Sequence, residues 1–313
     1  MVLDAIGDAE ADVEDVQGNR KVILITGTST GIGLELAVEL AKRGARVFAS
    51  MRNVDKAEAL QFAATSAGVA VELVALDVTS EESVVEGVAR VKSAAGRIDV
   101  VVNNAAVTTY RPIEFTPQAS VEMMFATNII GAIRVVRAVL PGMRRQGSGR
   151  IVNVGSLSAE PRVGVRLLGV YAATKAALHA FSLELNKELA PIGIDVVLCE
   201  GGVGGRTPMF TSLVDGVAQF GLGDGAYTRV ESTARAFANR FASVAPDPAG
   251  AAAMIAGACL VASPAVRHPL SAQAAIDSAH AVSDDDYLRL CVYDDEAPAI
   301  VTRNGLGPVW LLA

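Results

Sequence analysis

Cysteine is scarce in this chain. Cys199, Cys259 and Cys291 are its only three, widely spaced and without a C-x-x-C pair. That argues against a disulfide framework and fits a reducing, cytoplasmic setting. Histidine is equally rare: His179, His268 and His280 show no metal-ligand spacing, so no metal is expected and each reads as a surface or packing residue. Residues 1–19 lack lysine and arginine altogether. They carry Asp4, Asp8, Glu10, Asp12, Glu14 and Asp15, most of the formal net charge of -7, leaving about -1 for the rest. A nearly neutral body is a poor partner for nucleic acid or an anionic membrane. The acidic stretch 1–19 reads as a disordered, solubilising tail. It also lacks a basic segment followed by an apolar one, so no signal peptide is expected. The apolar run 249–262, bracketed by Pro248 and Pro264, is too short to span a bilayer and reads as a buried helix.

What the chain does have is alternation. With 51% hydrophobic and 19% charged residues it can bury a large core. Short apolar, β-branched runs at 21–26, 46–50, 71–76, 98–102, 151–154 and 193–198 read as buried strands, and helical patterns separate them. One of these patterns is long, covering 117–143. Six such strands predict an α/β, Rossmann-type doubly wound parallel sheet, with ligands bound at the strands' C-terminal ends. No internal repeat or linker interrupts it, so one domain is expected over 20–275, followed by a C-terminal extension, 276–313. After the sixth strand comes a glycine-rich loop and an apolar segment, 209–227. Together they suggest a lid, 201–229, over a hydrophobic substrate, or else a subunit contact or a simple surface helix. Further helices are expected near 230–245, 248–262 and 284–291.

The chemistry-bearing residues fall at those strand ends. Gly27, Gly31 and Gly33 join the first strand to a helix in the spacing G-x-x-x-G-x-G. Glycine lets the backbone approach a ligand, and a helix start offers N–H groups to an anion. The second strand ends at Arg52 with no acid beside it, and a guanidinium suits a 2′-phosphate, so NADP(H) is favoured over NAD(H). Tyr171 and Lys175 lie four apart on one helical face. An ammonium there is expected to draw the phenol down from its usual value of about 10, making a proton-transfer device. A serine at the end of the fifth strand can hold the oxygen that receives the proton.

With these residues in view, the chain resembles the short-chain dehydrogenase/reductase family over about residues 20–270. TGTSTGIG at 26–33 resembles the family's cofactor loop, Asp77 its adenine contact and NNAA at 103–106 its NNAG segment. Asn128, Ser156, Tyr171 and Lys175 match its catalytic tetrad. TGTSTGIGLELAVELAKRGARVFASMRN and RHPL at 267–270 are most similar to the branch containing 17β-hydroxysteroid and retinol dehydrogenases. The resemblance implies hydride transfer between a nicotinamide and a carbinol or carbonyl carbon of a hydrophobic small molecule. Tyr171 would be the general acid/base, Ser156 would orient the oxygen, Lys175 would tune the phenol and grip a ribose, and Asn128 would support a water relay. The implied cofactor contacts are Gly27, Ser29, Thr30, Gly31, Ile32, Gly33, Arg52, Asp77, Val78, Asn104, Ala105, Tyr171, Lys175 and Val203. Pairing through the helices around 117–143 and 170–189 implies a homodimer or homotetramer.

Three departures from the family pattern bear on this reading. Ser156 lies two residues further from Tyr171 than is usual; Ser158 has the usual spacing, but Ser156 matches the strand-end register and is favoured. Gly201-Gly202 replaces the usual Pro-Gly, which frees the loop and points to weaker cofactor affinity. Ala106 replaces a glycine, which is tolerable if its φ is negative. The same residues are compatible with epimerisation or dehydration, or with a cofactor-binding sensor of little turnover.

Overall fold

Among the described residues, seven parallel strands, one more than the sequence patterns announce, form a single sheet in the order β3-β2-β1-β4-β5-β6-β7. The computed structural model describes residues 20–159, 167–201 and 247–269, with 207, 209, 227–230, 232 and 236 between them. The strands are β1 (Val22–Thr26), β2 (Arg46–Met51), β3 (Glu72–Ala75), β4 (Val100–Asn103), β5 (Gly149–Val154), β6 (Ile194–Glu200) and β7 (Arg267–Pro269). The helices include α1 (Gly31–Lys42), α2 (Glu58–Ser66), α3 (Glu81–Ala95), α4 (Gln118–Phe125), α5 (Ala132–Gln146), α6 (Gly169–Leu189) and α7 (Pro248–Leu260). The order reverses between β1 and β4, which opens the crevice where such sheets bind ligands. The tail 1–19, most of the expected lid and of the 230–245 helix, Val203, the 276–313 extension and the helix near 284–291 lie outside the described residues.

The central strands are apolar on both faces because both faces are covered. Ile23 and Ile25 of β1 pack with Leu36 and Leu40 of α1 and Ile255 of α7. Val22 and Leu24 face the other way, toward Val88 of α3, Val139 of α5 and Leu185 of α6. Two-sided burial explains why these runs are continuous rather than alternating. Each fully buried Leu, Ile or Val contributes about 1.5–3 kcal/mol of transfer free energy.

Three expectations change. The 266–270 stretch, not read as a strand, pairs with β6 through Leu198↔Arg267 and Glu200↔Pro269; being short, charged and proline-bearing, it carries no β-branched signal. The fourth strand begins at Val100 rather than Ile98, because Asp99 is used as a clasp: its carboxylate accepts the Val22 N–H at 2.8 Å. The long helix expected over 117–143 is present as one rod, Gln118–Gln146, but with a π-helical turn, Ala126–Gly131, between α4 and α5 that the pattern does not announce. By length and composition the Gln118–Gln146 rod could cross a bilayer, but half of its most apolar stretch is buried inside the fold.

Arg150, at the start of β5, ties the sheet to α7. Its guanidinium donates to the carbonyls of Ala258, Cys259 and Val261 at 3.1, 3.0 and 2.7 Å and to Asp195 at 2.9 Å. The orphan carbonyls at the end of α7 are thus satisfied by a buried cation.

Candidate active site

A cavity of about 530 Å³ runs along the C-terminal ends of β1, β2, β4 and β5, from Arg52 and Asp77 at one end to Tyr171 and Lys175 at the other. Gly27, Ser29, Thr30, Gly31, Ile32, Gly33, Val78, Asn104 and Ala105, singled out in the sequence for cofactor contact, line it, and so do Ser156 and Ser158.

The cofactor-loop end is made of backbone. Gly27 and Gly31 have φ of +71° and +61°, a region that disfavours any side chain. Thr28 Oγ1 donates to the Ser50 carbonyl at 3.0 Å, which fastens the loop to β2. Asn104 Nδ2 donates to the carbonyls of Thr26 and Gly27, both at 2.9 Å, so its amide serves to lock the loop. Thr26, which sequence reasoning missed, accepts the N–H groups of Asn104 and Ala105 on its hydroxyl, both at 3.1 Å. Helix α1 then starts at Thr30 with no side-chain cap and no acid in its first turn. Its first N–H groups and positive dipole end face the cavity, which fits a dinucleotide pyrophosphate. Helix α3, by contrast, is capped by Ser80 and opens with Glu81 and Glu82.

Arg52 stands exposed at the end of β2 and lines the same end of the cavity. Asp77 accepts from the Thr79 N–H and hydroxyl at 2.9 and 2.7 Å, which fixes one carboxylate oxygen at the cavity wall. The φ of Ala106 is not positive, so alanine is accommodated there.

The other end is made of side chains. Tyr171 and Lys175 project from α6 toward the end of β5, where Ser156 and Ser158 are buried with their hydroxyls 2.8 Å apart. The two serines share one hydroxyl network, and Ser156 is the one that acts on the Tyr171 phenol, pulling its pKa down. Lys175 is 3% exposed, and its Nζ donates to the Val154 carbonyl at 2.8 Å, 5.7 Å from the Tyr171 ring centre.

The expected lowering of the phenol's pKa by Lys175 does not hold in this geometry. Burial dominates and pushes Tyr171 up to about 12, with the Ser156 hydrogen bond offsetting part of the rise. Burial also brings the Lys175 ammonium down to about 8. Spacing along a helix reports that two groups are neighbours; it does not report how much water they have lost.

Asn128 sits 2% exposed in the π turn. Its amide clasps Val107, accepting the N–H at 2.8 Å and donating to the carbonyl at 2.9 Å, and it donates to Thr174 Oγ1 of α6 at 3.0 Å. It therefore joins the 107 loop, which lines the cavity, to the helix that bears Tyr171. A π turn widens the helix locally, a distortion frequent at functional sites.

His179, expected at the surface or in packing, is instead half-buried behind Ser156. Its Nε2 accepts the Ser156 N–H at 3.3 Å, and its Nδ1 lies 3.2 Å from Glu200. The signal was present in the sequence: His179 continues the four-residue stripe of Tyr171 and Lys175. No group of three or more potential metal ligands occurs among the described residues.

The family profile described as short chain dehydrogenase matches residues 21–218. Retinol dehydrogenase 8 of Homo sapiens is 41% identical over 186 residues, 58% of this chain and 58% of that protein. 17-beta-hydroxysteroid dehydrogenase type 1 of Homo sapiens is 35% identical over 204 residues, 63% of this chain and 60% of that protein. The chain thus spans somewhat under two thirds of the length of these two relatives. Among solved structures, a short-chain dehydrogenase from Streptomyces avermitilis superposes with a TM-score of 0.66 at 30% identity, covering 90% of this chain and 96% of that one.

Proposed function

The chain belongs to the short-chain dehydrogenase/reductase family, and from that premise we propose that it is an NADP(H)-dependent oxidoreductase. Its substrate is a hydrophobic small molecule carrying an alcohol or a carbonyl. The observation that carries this reading is the meeting of Ser156, Tyr171 and Lys175 at one end of a cavity whose other end is an uncapped helix start.

Bound NADP(H) would supply or accept the hydride. The rest belongs to the chain. The 27–33 loop and the start of α1 would hold the cofactor's pyrophosphate, Asp77 its adenosine end, and Arg52 its 2′-phosphate. Ser156 donates a hydrogen bond to the substrate oxygen. In reduction Tyr171 gives its proton to that oxygen as the carbonyl carbon gains hydride; in oxidation the proton returns to Tyr171. A phenol raised by burial is protonated at neutral pH, ready to serve as the acid in reduction. Asn128 joins the 107 loop to α6, and a water relay beside it would return the proton. A homo-oligomer through α4, α5 and α6 accompanies this reading, supported by Met123, Phe125 and Ile130 standing exposed on α4 and the π turn.

The test is incubation of the protein and NADPH with a panel of ketones and aldehydes, following loss of reduced-cofactor absorbance and appearance of the alcohol. Stoichiometric conversion of at least one carbonyl is expected. No consumption of NADPH or NADH across apolar ketones, steroids and retinoids would end the redox reading. Sedimentation as a monomer at micromolar concentration would end the oligomer.

A further inference from the structure

The end of β5 poses a hydrogen-bonding problem that the sheet cannot solve. Beyond Val154 the chain continues alongside β6: Gly155 N–H donates to the Cys199 carbonyl and Leu157 N–H to the Gly201 carbonyl, both at 2.8 Å. Ser156 lies between them, so its N–H points to the opposite side. Strand β4 pairs with β5 only as far as Asn103↔Asn153 and offers no partner there. A buried N–H without an acceptor is costly, and here it belongs to a residue whose hydroxyl must be well placed.

His179 takes that N–H on Nε2 at 3.3 Å. A ring nitrogen that accepts carries no proton, so the proton sits on Nδ1, which lies 3.2 Å from Glu200 Oε1. Glu200 is 5% exposed and is gripped in turn by Arg267 of β7, with Nε to Oε2 and Nη2 to Oε1 both at 2.7 Å. Such a two-pronged bond orients the carboxylate as well as neutralising it. Gly155 completes the arrangement, because a Cβ at that position would collide with His179 Nε2.

Resting on the oxidoreductase reading, we propose that His179 is a positioning residue for the reaction. Fixed as the Nδ1–H tautomer by Glu200 and Arg267, it seats the Ser156 backbone and so aims the Ser156 hydroxyl at Tyr171 and the substrate oxygen. Burial, then the charges of Lys175 and Arg267, holds the imidazole down to about pKa 3, so it remains an acceptor across the working range. The network also explains why the otherwise unannounced strand β7 matters to the site: it carries the arginine that orients the glutamate that orients the histidine.

The experiment uses the full-length protein and two substitutions of opposite geometry. In H179Q the amide oxygen reaches the place of Nε2 and can accept the Ser156 N–H. In H179N the side chain is too short and that acceptor is lost. With NADPH and a ketone turned over by the wild type, H179Q is expected to keep kcat within about threefold. H179N is expected to lose about tenfold or more in kcat, with the KM for NADPH unchanged. Amide exchange at Ser156 is expected to accelerate at least about tenfold in H179N and little in H179Q. Nitrogen-15 spectra of the wild type are expected to show His179 with Nε2 bare and Nδ1 protonated, assigned by the signal missing in H179Q. A protonated Nε2, or equal kcat in H179N and the wild type, or equal losses in both variants that track their thermal stability, overturns the proposal. If the wild type reduces no carbonyl, the redox reading fails by itself. The imidazole spectrum and Ser156 exchange then decide whether His179 seats that residue.

Discussion

The two ends of the cavity are built from different material. At the cofactor-loop end the contacts are backbone groups, held by glycines with positive φ and by side chains that lock the loop rather than face a ligand. At the proton-transfer end the contacts are side chains, and three of them, Tyr171, Lys175 and His179, have been moved far from their ordinary pKa values by burial. Backbone donors cost little to prepare, because a helix start is polar whether or not a ligand comes. Buried ionisable side chains are costly, and that cost is the means of setting their proton affinity. One end is set apart by the omission of a cap and the other by desolvation.

The largest expected effect breaks the side-chain end alone. Tyr171→Phe removes a hydroxyl and keeps the ring, so turnover is expected to fall by about 10²–10⁴, while NADPH affinity measured by fluorescence stays near that of the wild type. A Tyr171→Phe enzyme with most of its turnover would dissolve the distinction between the ends.

Next comes Lys175→Met, which sets function against stability. Burial moves this ammonium from 10.5 to about 8, a penalty on the order of 3 kcal/mol for keeping it charged in the fold. Removing the charge is expected to raise the melting temperature while abolishing efficient turnover. The sign follows from linkage. Between about pH 8 and 10.5 the unfolded chain binds the proton that the folded chain has released, so wild-type stability rises with pH across that window. In Lys175→Met this contribution to the rise is expected to vanish, and denaturant melts at pH 7.5 and 9.5 measure it. A variant less stable than the wild type at pH 7.5 would show that the hydrogen bond to Val154 outweighs the burial cost.

Arg52→Asp sharpens the contrast from the cofactor end, where one exposed side chain is expected to matter. Loss of a charge-assisted contact of about 1.5–3 kcal/mol is expected to cost a ten- to hundredfold loss of NADPH affinity, with NADH affected little and kcat preserved. Unchanged discrimination between NADPH and NADH in titrations would remove Arg52 from the site. The smallest effect is expected from Gly33→Ala, whose added methyl would meet the Gly27 carbonyl and the Asn104 amide. Overpacking of about 1–3 kcal/mol is expected to weaken binding of both cofactors alike, without altering the preference between them. A Gly33→Ala protein that binds NADPH normally would show that the loop is softer than its contacts indicate.

Much of this arrangement could be read in advance, for identifiable reasons. Continuous β-branched runs mark strands buried on both faces, and glycines between a strand and a helix mark the crevice, so the doubly wound sheet was legible. Tyr171 and Lys175 were legible because a four-residue spacing survives any packing. The π turn at Asn128 was not, since one extra residue in a long apolar helix leaves the hydrophobic pattern almost intact. His179 was missed because its role depends on where β4 stops, a fact of the sheet and not of the helix that bears it. The direction of the Tyr171 shift was missed because it is set by enclosure, which no spacing encodes.

The grip of Arg150 on the end of α7 has a consequence in time. Its first carbonyl acceptor lies 108 residues further along the chain. During synthesis at 5–20 residues/s, the strand that leads to the serines is made roughly 5–20 s before its anchor exists. Through that interval the guanidinium has no helix end to hold and only Asp195 of β6, 45 residues on, to pair with. Non-local closures of this kind form late and slowly. A nascent chain cut off short of α7 therefore carries Asn128, Ser156, Tyr171 and Lys175 but lacks the helix end that Arg150 clamps to β5.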